Sequence, residues 1–361
     1  VSGDRINEHT DGWADVVGQD AAVAMLRSAA AGDAAHAWLF LGPRGSGKRA
    51  AARAFAGDLL AASADRTGDV EGAARTRALA RVGQHPDLIE VERVGAAIAV
   101  DQADDIVRRS SRSPVEGDRK VLVLDEFHLV APAVGPKLLK TIEEPPVGTF
   151  FVVLADELPP DLVTVASRCV QVPFSPLTVE QVAAQLVEDG IGEERANEAA
   201  SFAAGDLGRA RLLATDDRLA LRLAAWRELP RRLDGSGSTA ASAVDELRAA
   251  IDDAETPLKA RQEVEVTDLT ERIERYGQRG SGAKLLDDRH KRERRRIRTD
   301  ELRMGLSSLA ATYRDELLVA ADPDPALRAL DAVQQTAERL IRNPNEELLL
   351  LDLALRLPSL S

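Results

Sequence analysis

The first half of the chain alternates between short, unbroken apolar runs and longer stretches of helical periodicity. The runs "AWLFL" (Ala37 to Leu41), "DLIEV" (Asp87 to Val91), "VLVL" (Val121 to Leu124) and "FFVVLA" (Phe150 to Ala155) predict strands. Because they are apolar without alternation, they suit parallel strands covered on both faces. Between them, "KRAAARAFAGDLLAAS" and "AVDQADDIVRRSS" read as helices. The resulting βαβα order predicts an α/β domain whose parallel sheet is joined by right-handed crossovers.

The pattern changes at "VPFSPLT", where Pro173 and Pro176 mark a hinge or boundary. Thr178 and Gln181 then have the spacing of a reciprocal helix cap for "VEQVAAQLVEDG", which Gly190 stops, and "EERANEAASFAAGD" is a second helix ending near Gly205. From about Asp216 the chain is rich in Leu, Ala, Arg and Glu without strand patterns, and "EELLLLDLALRL" is apolar enough for a buried helix. The expected organisation is an α/β domain over 1–174, a small helical domain over 175–215 and an all-α domain over 216–361. "GQRGSG" (Gly277 to Gly282) reads as a flexible break, and Arg289 to Arg298 is a strongly basic run. That run, without aromatics, fits a solvated helix or linker, or alternatively a contact to DNA phosphate or an acidic partner.

Charge and composition narrow the function. With 47 basic and 60 acidic residues the formal charge is −13, which argues against coating nucleic acid or a membrane by bulk electrostatics. A single cysteine, Cys169, excludes an internal disulfide and a thiolate zinc cage, and reads as a packing residue. The amino-terminal stretch has no signal-type apolar core, and no run of about 18 apolar residues occurs. The expectation is a soluble protein of a reducing cytoplasm.

The candidate chemistry begins at "GPRGSGKRA" (Gly42 to Ala50). A strand precedes it and a helix follows, so Gly42, Gly45 and Gly47 can bring backbone N–H groups up to phosphates, with Lys48 supplying charge. Arg49 stands where a hydroxyl would ligate magnesium, and a guanidinium cannot ligate a cation. Lys48 and Arg49 either hold phosphate without metal, or Arg49 turns to solvent. "VLVLDEFH" sets Asp125 and Glu126 at the carboxyl end of a buried strand, where a working site would use Asp125 on magnesium and Glu126 to polarise water. His128 has no His or Cys at metal spacing and reads as structural, so no metal site is expected.

These elements together resemble the clamp-loader branch of the AAA+ family. "DGWADVVGQDAAVAMLRSA", with Val17, Gly18 and Gln19, looks like its opening box beside the adenine pocket. "HAWLFLGPRGSGK", "KLLKTIEEPP" (Lys137 to Pro146) and "VASRCVQVPFSPLT" follow in the family's order across roughly the first half of the chain. The resemblance implies an AAA+ domain, a helical lid and a helical collar through which subunits associate. It implies that Arg168, within "SRC", is an arginine finger completing a neighbouring subunit's ATP site. It also implies a heteropentamer with gamma or tau and with delta, acting on a sliding clamp and primed DNA as part of the DNA polymerase III holoenzyme without being the polymerase itself.

Several positions depart from an active ATPase of that family. Arg49 replaces the metal ligand, Asp156 stands where a neutral polar sensor is usual, and Gly208 replaces a second sensor arginine, with Arg209 and Arg211 close by. "ADRTGDVEGAARTRALARVGQHPDL" occupies the place of a zinc module but contains no cysteine, so no zinc is expected. The pattern favours a subunit whose own hydrolysis is lost, with ATP or ADP at a degenerate site, over gamma or tau itself or a related recombination ATPase.

Overall fold

The computed structural model describes residues 12–95, 97–131, 133–276, 281–340 and 344–360. The chain divides into two compact units, one of Val1–Arg93 with Ile98–Ala214 and one of Val94–Ala97 with Thr215–Ser361. The position of residues 277–280, most of the expected flexible break, lies outside the described residues.

The first unit runs α1 (Asp20–Ala31), β1 (Ala37–Leu41), α2 (Lys48–Thr67), α3 (Val70–Arg81), β2 (Leu88–Val91), α4 (Val100–Ser110), β3 (Lys120–Leu124), α5 (Val134–Glu143), β4 (Thr149–Ala155), α6 (Val163–Ala166) and β5 (Val170–Pro173). It continues with α7 (Val179–Glu188), α8 (Glu193–Ala203) and α9 (Leu207–Thr215). The strands form one parallel sheet in the order β2-β3-β4-β1-β5. Both faces are covered, as the unalternated runs require. Trp38, Phe40, Val121, Val123, Val152 and Leu154 pack on one side with Phe55 of α2, while Leu39, Leu122, Leu124, Phe151 and Val153 pack on the other with Ile106 and Leu138.

β5 is the strand that periodicity does not announce. Its "VQVP" is short and carries a glutamine and a proline, yet it pairs with β1 along Trp38–Leu41. An edge position tolerates that proline because a donor is needed on one side only. The segment in the place of a zinc module forms the helix α3, which packs on α2 through Gly57 and Ala80 and ties back through Arg77 to Asp58 (2.7 Å) and Asp65 (2.5 Å).

Helix α7 begins with the expected reciprocal cap. The Gln181 N–H donates to Thr178 Oγ1 (3.2 Å), and the Thr178 N–H donates to Gln181 Oε1 (2.9 Å). Gln19 joins the opening box to the segment after β5, donating to the Ser175 carbonyl (2.7 Å) and accepting from its N–H (3.1 Å).

The second unit contains α10 (Asp217–Arg232), α11 (Gly237–Ala254), α12 (Thr256–Tyr276), the 39-residue α13 (Ser281–Val319), α14 (Asp324–Arg339) and α15 (Glu346–Arg356). Its core gathers Trp226, Leu247, Leu306, Tyr313, Val333 and Leu353. Trp226 lies against Gly305, where an added methyl carbon would sit 2.1 Å from the indole. Gly305→Ala is therefore expected to destabilise this unit by about 2 kcal/mol, the cost of overpacking exceeding the roughly 1 kcal/mol gain in helix propensity. A lower denaturation midpoint at unchanged m-value is the expected readout; a raised midpoint would mean that the indole repacks freely.

Candidate functional site

Strand order places the candidate residues at one edge of the sheet. β1 lies between β4 and β5, and the loop after β1 leads into α2. Asp125 follows β3 and Asp156 follows β4, so both carboxylates stand at the carboxyl edge beside the loop, where open α/β sheets hold ligands. Gly47 caps α2 in the left-handed region (φ 88°), and Gly42 hydrogen-bonds its N–H to the Ala155 carbonyl (3.2 Å).

Lys48 and Arg49 meet the protein's own oxygens. Lys48, 7 % exposed, donates through Nζ to the carbonyls of Gly42 (2.5 Å) and Pro43 (2.7 Å) and to Asp156 Oδ1 (2.9 Å). The Asp156 N–H in turn donates to Nδ1 of His128 (3.1 Å), which gives that buried imidazole a structural task. Arg49 donates through Nε to Asp125 Oδ2 (3.0 Å), adds a second bond from Nη2 to the same oxygen, and pairs through Nη1 with Glu92 Oε1 (2.6 Å). Burial works against the Arg49 charge, but Asp125 and Glu92 outweigh it and hold its pKa above the ordinary value.

These pairs belong to a ladder between α2 and β2. Arg49 and Arg53, one turn apart on α2, face Glu92 and Glu90, which alternate along the strand and its extension; Arg53 grips Glu90 at 2.8 and 2.7 Å. Glu126 sits in the left-handed region (φ 50°) with its carboxylate on the fully buried Arg93, at 2.7 and 3.2 Å. Both acidic residues of the β3 motif thus carry an arginine.

Helix α9 closes over the loop. A methyl carbon on Gly45, itself at φ 75°, would fall 2.4 Å from Asp206 Cα, so only a glycine admits the helix start. The Leu207 N–H approaches the Gly45 carbonyl at 3.4 Å, and Arg44 pairs with Asp206 at 3.7 Å. Of the two arginines near the second sensor position, Arg209 is buried and Arg211 pairs with Asp189 (2.6 Å).

Arg168 stands apart from this cluster, just after α6. Its side chain is 40 % exposed, and its guanidinium pairs with Glu143 at the end of α5 and donates to the Thr164 carbonyl (2.8 Å) and Ser167 Oγ (3.2 Å). Burial pushes the neighbouring Cys169 thiol up to about 11, which suits a packing residue. Among the described residues no group of three or more His, Cys, Asp or Glu is arranged to hold a metal ion, and no helix is long and apolar enough to cross a membrane.

The basic run lies within α13 and faces carboxylates on three other helices. Arg289 pairs with Glu265, and Arg298 with Glu346, Asp252 and Glu255, while His290 shares Glu265 at 3.0 Å. Charge density alone did not reveal these partners, nor did it reveal Glu92, Arg93, Asp206 and Glu143. Each is distant in sequence from the residue it meets.

A glycine-rich loop between β1 and α2, acidic residues ending β3, Asp156 after β4 and the helices α7–α9 together form a P-loop module of AAA+ type. Residues 18–178 match the family model described as DNA polymerase III, delta subunit. Together with the relatives below, this match places residues 18–178 in the DNA polymerase III clamp-loader family. It is 31 % identical over 247 residues to the tau subunit of DNA polymerase III from Salmonella typhimurium, covering 67 % of this chain and 36 % of that protein. It is 35 % identical over 139 residues to the delta-prime subunit from Pseudomonas aeruginosa, covering 38 % of this chain and 42 % of that protein. The chain therefore spans about a third of the length of the tau relative. Among solved structures, a gamma subunit-related protein from Thermotoga maritima superposes with a TM-score of 0.41 at 15 % identity, over 92 % of this chain and 97 % of that one.

Proposed function

We propose that the chain acts as the delta-prime subunit of a bacterial DNA polymerase III clamp loader, a cytoplasmic member that helps place the sliding clamp on primed DNA. In this reading residues 1–174 form the AAA+ domain, 175–215 the lid and 216–361 the collar that joins gamma or tau and delta in a heteropentamer. Its own ATP hydrolysis is lost, and Arg168 serves a neighbouring subunit's ATP in trans.

The observation that carries the reading is the internal pairing of Lys48 with Asp156 and of Arg49 with Asp125 and Glu92. A triphosphate entering this cradle brings about four negative charges beside carboxylates already joined to the cradle's cations, and Arg49 leaves no hydroxyl to fix a neutralising magnesium. Catalysis of phosphoryl transfer is chiefly charge stabilisation and positioning, and cations already paired with carboxylates and a missing metal ligand weaken both.

A second reading, an active ATPase of the gamma/tau kind, is favoured by the tau relatives. Turnover separates the two. The isolated chain is expected to hydrolyse no ATP, and Lys48→Ala in a reconstituted loader is expected to leave turnover within about twofold of wild type. Hydrolysis by the isolated chain that Lys48→Ala abolishes would overturn the proposal.

A further inference from the structure

We infer that Glu143 is a positioning residue that parks Arg168 against its own chain and so withholds it from the neighbouring ATP site until that site forms. The inference rests on the trans-acting role proposed for Arg168 and adds a control element to it. It also gives a task to "KLLKTIEEPP", a motif that the phosphate cradle does not use.

The local structure sets this up in steps. Pro145 disfavours helical geometry at the residue before it, and Glu144 accordingly leaves the helix at φ −127°, ψ 66°, which makes Glu143 the last residue of α5. Two carboxylates at a helix carboxyl end meet the negative pole of the backbone dipole, an unfavourable placement unless a cation answers them. Arg168 answers Glu143 from the turn after α6, its Nε on Glu143 Oε1 and its Nη1 on the Thr164 carbonyl at 2.8 Å. The Ser167 hydroxyl shares that carbonyl at 2.9 Å and accepts from Nη1 at 3.2 Å, closing the parked geometry.

The strength of the tether suits a release. Arg168 and Glu143 are 40 % and 34 % exposed, so water screens the pair. A pair of this kind biases its two states by up to about fivefold. A triphosphate on an adjoining subunit, with greater charge and a matching fork geometry, outcompetes one half-exposed carboxylate. The tether then holds the finger until clamp and primed DNA bring such a phosphate into register beside it.

The test uses the intact chain in two settings. In the isolated chain, exchange of the Arg168 Nε–H followed by nitrogen-15 NMR is expected to quicken in Glu143→Gln and to stay near wild type in Glu143→Asp. In the reconstituted clamp loader, Glu143→Gln is expected to raise ATP turnover without clamp and primed DNA by two- to fivefold, to leave fully stimulated turnover unchanged, and to have no effect in an Arg168→Ala background. The inference is overturned if Arg168→Ala lowers turnover but Glu143→Gln leaves unstimulated turnover unchanged, or if the Glu143→Gln effect persists without Arg168. If Arg168→Ala leaves turnover unchanged, the trans-acting role itself is overturned, and this inference with it.

Discussion

Arg168→Ala is expected to lower ATP hydrolysis about a thousandfold at the one neighbouring site that the proposed trans-acting role assigns to it. Charge spreading onto the transferred phosphoryl oxygens needs a cation at the moment of transfer, and an arginine supplied in trans provides one with planar, two-point geometry. Arg168→Lys keeps the charge but not the fork, so it should restore little. The substitution should leave the fold intact, because the guanidinium is half-exposed and its pair with Glu143 contributes at most about 1 kcal/mol. The measurement is a single-turnover burst in the reconstituted clamp loader: the amplitude from one site should disappear while the others persist. A full burst with Arg168→Ala would show the residue to be an ordinary surface partner of Glu143.

The second large effect is expected in the helical unit, where Arg298→Ala should cost about 3 kcal/mol. From α13, Arg298 reaches carboxylates at the end of α11, just after it and at the start of α15. It donates through Nε and Nη2 to Glu346 at 2.5 and 2.8 Å, and through Nη1 to Asp252 and to Glu255 at 3.4 Å. Glu346 and Glu255 are 11 % and 8 % exposed, so losing the arginine leaves carboxylates short of a counter-charge in a poorly hydrated place. Lys259 still meets Glu255 at 3.0 Å and Arg248 lies 4.0 Å from Glu346, which keeps the expected loss at the lower end for a broken pair of this kind. Denaturation of the intact chain should show the unit's transition at lower denaturant, and Glu346→Gln combined with Arg298→Met should recover part of the loss. A midpoint within about 0.5 kcal/mol of wild type would place Arg298 among ordinary surface charges.

The basic run that contains Arg298 illustrates how differently a charge reads alone and in place. In the sequence, Arg289 to Arg298 is a dense positive stretch with an apparent claim on phosphate. In the fold, its ends are committed to Glu265, Glu346 and Asp252 on other helices and to Glu255 in the turn after α11, which makes it a clasp of the bundle. Arg49 follows the same logic. Its identity removes the metal ligand at once, but its occupation by Asp125 and Glu92 emerges only when β2 and β3 are brought beside α2.

Taken by itself, the sequence determined the kinds of element and much of the cradle's chemistry. Unalternated apolar runs mark strands buried on both faces, the Thr178–Gln181 spacing makes a cap, and Gly45 and Gly47 allow the left-handed turns that a phosphate loop needs. These are local properties, decided by periodicity and backbone sterics within a few residues. The tertiary structure alone decided that "VQVP" is a strand, since its neighbour in the sheet compensates for a weak pattern, and which carboxylate meets each arginine. Ion pairs such as Arg49 with Asp125 join residues far apart along the chain, so distance through space, set by strand order and helix packing, governs them where covalent neighbourhood cannot.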